Sequence, residues 1–484
     1  MITQKQLSLA DIYNDCKEIY ENDKNSFLKL LEEHLDINSL IPATFKKNYY
    51  SWTGRPRSNQ LSAMLWALII QKIFAIPTDT LLLVFLHYSK ELREFCGFNK
   101  VPDASKITRF KQDFLPDLQA MFDNLVDVTE PICQKIDINK ASMTIFDTSG
   151  IEAFVTENNP KYLNRVIKQL KWWKKANNIS ESFDPHKAAY KAMPTSAATN
   201  TAIQQMYING HFCYAYKFGV ITNGLGIIRD ISFYNKEFLK AHPDIVIGKK
   251  SNSPDEDKFL ADSKALIPVL ADFFKKHPLI NPKTFLGDSA FDTIQIYHDL
   301  FHKLKFQEAY IPLQNRPSIQ GSDCTINENG VPCCPKDPSL PMRREGSKSH
   351  LRCGLPTMKF VCPKMKWTKV DKKRKRVTGC KNPCTDSSCG RMTYIYPEKN
   401  LRMYPGSVRG TAKWDETYKV RVVAERSINQ LKDSFCVANR KSQNEKTLHA
   451  DLLLAGISQL ITVITADKIH RHDLIRSLKP IIAA

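Results

Sequence analysis

Apolar residues recur at helical spacing through the first part of the chain. After a candidate N-cap at Ser58, the residues Leu61, Met64, Leu65, Leu68 and Ile69 form one stripe, and Pro77 ends the run. A second helix is expected from Thr78 or Asp79 to about Gly97. A third begins near Ser105 (SKITRFKQDF), with Lys106, Arg109 and Lys111 on its outer turns. Residues 1 to about 45 read as polar helices, for example Asn25 to His34, and the pattern changes from Gly54. At Met143 the period shortens: MTIFDTSG is a β-rich run that reaches Asp147 and then turn residues. The runs GHFCYAYKFGVITNG and LGIIRDISFYN flank Asn223-Gly224 and predict a hairpin. A helix is expected from about Asp257 to Lys276, with Phe259, Leu266, Leu270 and Phe273 on its apolar side. PKTFLGDSAFD then gives a short strand ending at Asp288, and FQEAYIPLQ the strand after it. Helices first, then strands alternating with helices, predict an α/β protein with an all-helical N-terminal domain.

The stretch YKVRVVAERSINQLK, from Tyr418 to Lys432, has no Pro or Gly and predicts one helix. Val420, Ala424, Ile428, Leu431 and Phe435 form its core stripe. Tyr418, Arg421, Glu425 and Lys432 share an arc about 60° wide beside that stripe. A carboxylate at the rim of a core, with two cations and a phenol on the same edge, either holds a metal or makes salt pairs on a solvated face. A second basic stretch, KYLNRVIKQLKWWKKANN, offers Lys168, Lys171, Lys174 and Lys175 around Trp172 and Trp173. It reads as a DNA-tracking surface with an aromatic platform, or as a surface helix with its Trp residues tucked inward. The run from Leu452 to Ile464 suits a buried helix.

Charge narrows the partner. Across 484 residues, 70 Lys and Arg face 50 Asp and Glu, a net charge of +20. Such an excess points to a polyanion, and no basic amphipathic or lipidation motif supports a membrane surface. The first three helices then read as a helix-turn-helix DNA reader or as a plain helical bundle. The N-terminal residues lack an apolar signal region, so a cytoplasmic, nucleoid-associated location is expected. Of 13 cysteines, eight fall in one Pro- and Gly-rich stretch: Cys324, Cys333, Cys334, Cys353, Cys362, Cys380, Cys384 and Cys389. Without an export signal the cluster points to structural zinc, although the spacings are looser than paired CxxC and inert loop thiols are the other reading.

The Tyr-Arg-Glu-Lys spacing of Tyr418, Arg421, Glu425 and Lys432 resembles that of bacterial insertion-sequence transposases of the DDE class with the YREK signature. The resemblance implies an RNase H-like core, a mixed sheet flanked by helices, with two further catalytic aspartates at strand ends. Asp147 matches the first. Asp288 matches the second, preferred over Asp292 because Gly287 lets the backbone approach closely and Asp292 reads as the opening of the next helix. The layout implied is a helical segment over 1–45, a helical DNA-binding domain over 46–137, the core in two parts over 138–316 and 400–484, and a Cys-rich insertion over 317–399. By the same resemblance, Asp147, Asp288 and Glu425 hold two Mg²⁺ ions, which Mn²⁺ can replace, and catalyse end cleavage and strand transfer. Tyr418, Arg421 and Lys432 would contact phosphates of double-stranded DNA, at the terminal inverted repeats and the target, with the protein a homodimer or larger on its ends. A nuclease of the same fold without strand transfer, an inactive DNA-binding regulator and a zinc-dependent interaction protein are the alternatives.

Overall fold

The structure is a computed structural model. It describes residues 26–50, 56–179, 182–208, 211–245, 260–314, 324–327, 331–348, 357–370, 373–396, 401–439 and 442–482. Expectations placed on Asn25, Gly54, Phe259 and Cys353 lie outside the described residues. The chain forms two compact units: Met1–Ile136 with Ile151–Phe154 and Asn429–Ala484, and Asp137–Gly150 with Val155–Ile428.

The first unit is helical. Its helices include Ser26–His34, Leu61–Ile73, Asp79–Tyr88, Lys90–Cys96, Ala104–Asp113, Leu115–Ile136 and Glu445–Lys468. Thr78 caps the Asp79–Tyr88 helix by accepting from the Leu81 N–H, and Gly97 at φ 84° ends the stretch as expected; the one helix expected between them is two, because Ser89 turns extended and caps Lys90–Cys96 by accepting from the Leu92 N–H. Ser58 does not cap: Gln60 occupies the N-cap of Leu61–Ile73, and nothing from its side chain bonds the first turn. The Glu445–Lys468 helix is apolar nearly all round and is almost wholly buried against the Leu115–Ile136, Leu61–Ile73 and Ala104–Asp113 helices. It is long and apolar enough to cross a membrane by length and composition, but 94% of its most apolar window is buried inside the protein.

Four charges lie inside this bundle. Lys72 Nζ is 2.9 Å and Lys111 Nζ 3.0 Å from Asp451 Oδ1, and Lys111 also reaches Asp79 Oδ2 at 2.8 Å. Lys111 was expected on the wet side of its helix; its side chain is 0% exposed. Acids from two other helices turn that position inward, which no local pattern announces. Lys106 and Arg109 of the same helix do remain at the surface. The helices after Asn429 belong to this unit, where the sequence placed them with the core.

The second unit is built on a mixed sheet of six strands: β1 Met143–Glu152, β2 Gln204–Ile208, β3 His211–Thr222, β4 Ile228–Phe233, β5 Thr284–Leu286 and β6 Glu308–Tyr310. The path runs β2-β3-β1-β5-β6, with β4 paired to β3. The hairpin at Asn223 is as expected: Phe218 pairs with Phe233 and Val220 with Ile231. The Asn223 side chain accepts the N–H groups of Leu225 and Ile227, each at 3.1 Å. β1 and β5 are parallel with Ile145 opposite Leu286, and β5 and β6 are parallel with Leu286 opposite Tyr310. β1 runs on to Glu152 instead of turning after Asp147, so that aspartate sits in mid-strand. Its β5 neighbour stops at Leu286, while β3 on the other side extends over 12 residues and keeps β1 in the sheet.

The described residues of the Cys-rich insertion form β structure. Arg343–Lys348, Thr357–Val361 and Met392–Ile395 form a three-stranded sheet; Met365–Val370 pairs with Lys373–Thr378, and Cys333–Cys334 with Asp337–Pro341. Met342, Met358, Phe360, Met403 and Tyr404 form a small core beneath it.

Candidate active site

A row of side chains sets the geometry. Ile145, Leu286 and Tyr310 lie side by side on the three parallel strands, and Ala424 of the Val422–Asn429 helix is packed on that row. Two residues beyond the row on β1 is Asp147, and two residues beyond it after β5 is Asp288. The strands are in parallel register, so both acids leave the sheet at one level of neighbouring strands, which run about 4.8 Å apart. Glu425 follows Ala424 directly. A hydroxyl bond from Ser427 to the Gly226 carbonyl, 2.8 Å, ties the helix to the β3–β4 turn.

Arg421 joins the acids. Its guanidinium lies 2.5 Å from Glu425 Oε1 and 3.9 Å from Asp147 Oδ2, with Asp288 also within electrostatic reach. Burial works against its charge, but Tyr418, Glu425, Asp147 and Asp288 hold its pKa above the ordinary value. Tyr418 stacks on Trp414 with ring centres 4.8 Å apart, and burial raises its phenol with Asp288 adding to the rise. Burial pushes the Asp147 carboxyl up to about 6; the Thr148 N–H and Arg421 oppose this, while Asp262 and Glu425 add to it.

Asp288 and Asp292 have different surroundings. Asp288 is exposed, and its Oδ1 accepts the Ser289 N–H at 2.6 Å. Asp292 is fully buried, ion-paired with Arg402, and accepts from the Gln314 N–H at 2.8 Å. It does not open a helix; Thr293 caps the next one. At Gly287 an added Cβ would come 2.8 Å from Phe285 and 2.9 Å from Phe291, so the close approach expected there is to packed rings.

The expected single helix from Tyr418 to Lys432 is three pieces. Ala412–Lys419 ends, Val422–Asn429 begins, and a π turn covers Gln430–Ser434. Between the first two, the Arg421 N–H reaches the Tyr418 carbonyl and the Ala424 N–H the Arg421 carbonyl, tight three-residue bonds that replace the α pattern. Lys432 lies in the π turn, in the helical unit, and is buried at 8% exposure.

Sequence reasoning missed Asp262 and Lys217. Lys217 of β3 lies 2.8 Å from Asp262 at the start of the Asp262–Lys276 helix, and the Asp262 charge reaches Asp147. Their separation of dozens of residues gave no spacing signal. The Trp helix also departs from the inward-facing reading. In Pro160–Ala176 no residue is buried, Trp172 is 72% exposed, and Trp173 packs edge-on against Phe183 at 5.7 Å.

Asp147 in mid-strand, Asp288 just past a strand end and Glu425 on a packed helix, with Arg421 paired to Asp147 and Glu425, define an α/β protein with a carboxylate-bearing candidate site. The family model described as Transposase domain (DUF772) matches residues 17–113, within the helical unit. Among solved structures, the chain is similar to piggyBac transposase in a cryo-EM synaptic complex with hairpin DNA. Identity is 11% and the TM-score 0.26, over 96% of this chain and 84% of that one, a score too low to define a shared fold. No curated protein matches.

Proposed function

We propose that the protein is a DNA transposase in which Asp147, Asp288 and Glu425 form one metal-dependent site for phosphodiester cleavage and strand transfer on an RNase H-like sheet. The observation that carries this reading is the shared register of Asp147 and Asp288 beyond paired Ile145 and Leu286, with Glu425 next to the Ala424 that packs on the same row. The match of residues 17–113 to a transposase domain supports it independently.

The donor set fits a hard divalent cation. It is all carboxylate oxygen, and among the described residues the cation paired with Asp147 and Glu425 is Arg421, which stands where a metal's charge is needed. Bound there by Asp147, Asp288 and Glu425, Mg²⁺ would supply Lewis-acid activation of the phosphodiester and of the attacking oxygen. The chain's own residues do the rest. Arg421 pairs with Glu425 and Asp147 in the DNA-free protein, and offers its planar fork to a phosphate when DNA arrives. Tyr418, fixed by its stack on Trp414, presents a hydroxyl donor beside Asp288. The Pro160–Ala176 helix, with Lys161, Arg165, Lys168, Lys171, Lys174 and Lys175 and no acid, adds a cationic face with exposed Trp172 for double-stranded DNA.

The test is cleavage and joining of a duplex carrying the element's own terminal sequence, in Mg²⁺ or Mn²⁺. Asp147→Asn, Asp288→Asn and Glu425→Gln should each lower the rate by about 10³-fold or more, roughly 4 kcal/mol of barrier, with the fold retained by circular dichroism. Full activity in any one of them overturns this assignment of the site. Cleavage without joining in the parent protein would favour a nuclease of the same fold.

A further inference from the structure

The cysteines of the insertion do not share one environment. Cys333 and Cys334 are neighbours on a two-residue strand whose register shifts between them, and their surroundings differ. Cys333 is buried, with its thiol 3.7 Å from the Val331 carbonyl. Cys334 instead lines a cavity together with Cys362, Cys380 and Cys384. The Cys334 and Cys384 thiols are in hydrogen-bond contact, and Cys362 is within electrostatic reach of Cys384. Cys389 is engaged elsewhere, with its sulfur 2.9 Å from the Ser387 hydroxyl.

These four lining thiols come from three separate segments. Cys334 comes from the first hairpin. Cys362 ends the central strand, where its carbonyl accepts the Met365 N–H at 3.1 Å in a tight turn. Cys380 and Cys384 lie on the loop after Lys373–Thr378. The walls close tightly: Cys362 N–H bonds the Arg391 carbonyl at 2.9 Å, and Gly390, at φ 77°, leaves room where a Cβ would stand 3.4 Å from Cys362. Lys364 and Arg391 line the same cavity.

We propose that Cys334, Cys362, Cys380 and Cys384 are the ligands of one structural Zn²⁺ ion. The insertion consists of small two- and three-stranded sheets, and domains of this size need a metal or disulfides to hold them. Four thiols from three segments line one cavity, and they would have to draw closer together to form the closed all-sulfur set of a structural site. Zn²⁺ with four thiolates carries two negative charges, which Lys364 and Arg391 offset. Binding releases the four thiol protons, so no oxidant or reductant takes part. Cys324, Cys333 and Cys389 are outside the set.

The experiment uses the full chain, purified under reducing conditions, and none of its readouts involves DNA cleavage, so it stands or falls apart from the proposed function. Elemental analysis should find one zinc per chain. Titration of the metal-free chain with Co²⁺ should give the intense near-ultraviolet thiolate band and the visible bands of tetrahedral coordination. Chelation should expose four additional thiols to Ellman's reagent in the unmutated chain, a count that does not depend on any variant folding. Cys334→Ser, Cys362→Ser, Cys380→Ser and Cys384→Ser should each weaken zinc retention at least tenfold against a competing chelator. Cys324→Ser, Cys333→Ser and Cys389→Ser should retain one zinc. A reduced chain that binds neither zinc nor cobalt overturns the proposal. So does a Cys334–Cys384 disulfide found by mass spectrometry in the purified protein, or zinc loss that follows Cys389→Ser and spares Cys362→Ser.

Discussion

Arg421 faces acids drawn from three distant parts of the chain, and its removal has a readable signature. In Arg421→Ala, Asp147 and Glu425 lose their common counter-charge. Added Mg²⁺ should therefore raise the melting temperature of the variant more than that of the parent, because cation and guanidinium neutralise the same groups. Equal shifts would show that the two do not compete. Asp147 makes a second forecast. Its folded pKa of about 6 lies above the unfolded value near 3.9, so between these values the folded state holds a proton the unfolded chain has released. Stability in the absence of divalent metal should fall as pH rises through that window, by about 1–3 kcal/mol, and remain lower above it. Asp147→Asn should flatten this step in a urea-melt series from pH 4 to 8. Asp292→Asn breaks a buried pair with Arg402 and should lose about 3–5 kcal/mol of stability, seen as a lowered urea midpoint. The choice between the two aspartates was readable only in part. Gly287 marks a tight place in the chain, but the partner that internalises Asp292 is Arg402, 110 residues on.

Elements with strong local signals came out as the pattern implied: the Asn223 hairpin, the short strand before Asp288, and the helix start at Thr78, although that helix breaks at Ser89. The breaks in the Tyr418–Lys432 stretch were not readable, because no Gly or Pro marks them. Ala424 is held on the Ile145-Leu286-Tyr310 row, and Arg421 turns toward the acids; tertiary packing overrides helix propensity there. The β structure of the insertion was hidden by its turn residues and charges. Strand pairs such as Met365–Val370 with Lys373–Thr378 are stabilised by cross-strand contacts, among them Arg376 placed 4.5 Å over Trp367. The basic helix Pro160–Ala176 can be tested as a unit. Lys171→Ala, Lys175→Ala and Trp172→Ala should weaken duplex binding, and each lost lysine–phosphate contact should lower the salt slope by about one. Trp172→Ala should weaken binding with the slope unchanged, since stacking carries no counterion term. Lys432→Ala should instead lower the melting temperature and leave the slope alone, because Lys432 is buried. A fall in its slope would restore it to the DNA-contact set.

At the scale of the molecule, the helical unit is discontinuous: its first 136 residues are completed by Asn429–Ala484. Sequence patterns rank neighbours along the chain, so they assigned the closing helices to the core that precedes them. What decides the matter is long-range burial, with Asp451 set against Lys72 and Lys111. Asp451→Ala leaves both lysines without that carboxylate, while Lys111 keeps Asp79. A loss of about 3–5 kcal/mol is expected, measurable as a drop in the urea midpoint.

The same arrangement ties assembly to the order of synthesis. When Lys72 and Lys111 leave the ribosome, the helix that carries Asp451 does not yet exist, and residues 137 to 428 must come first. At about 5–20 residues per second that interval is roughly 15–60 s. A message interrupted anywhere before codon 451 thus yields a chain whose transposase-domain stretch lacks its central helix and its buried counter-charge. Chains stopped before Asp451 should therefore unfold at a lower urea concentration than the chain that carries it, and should be cleared faster by proteolysis.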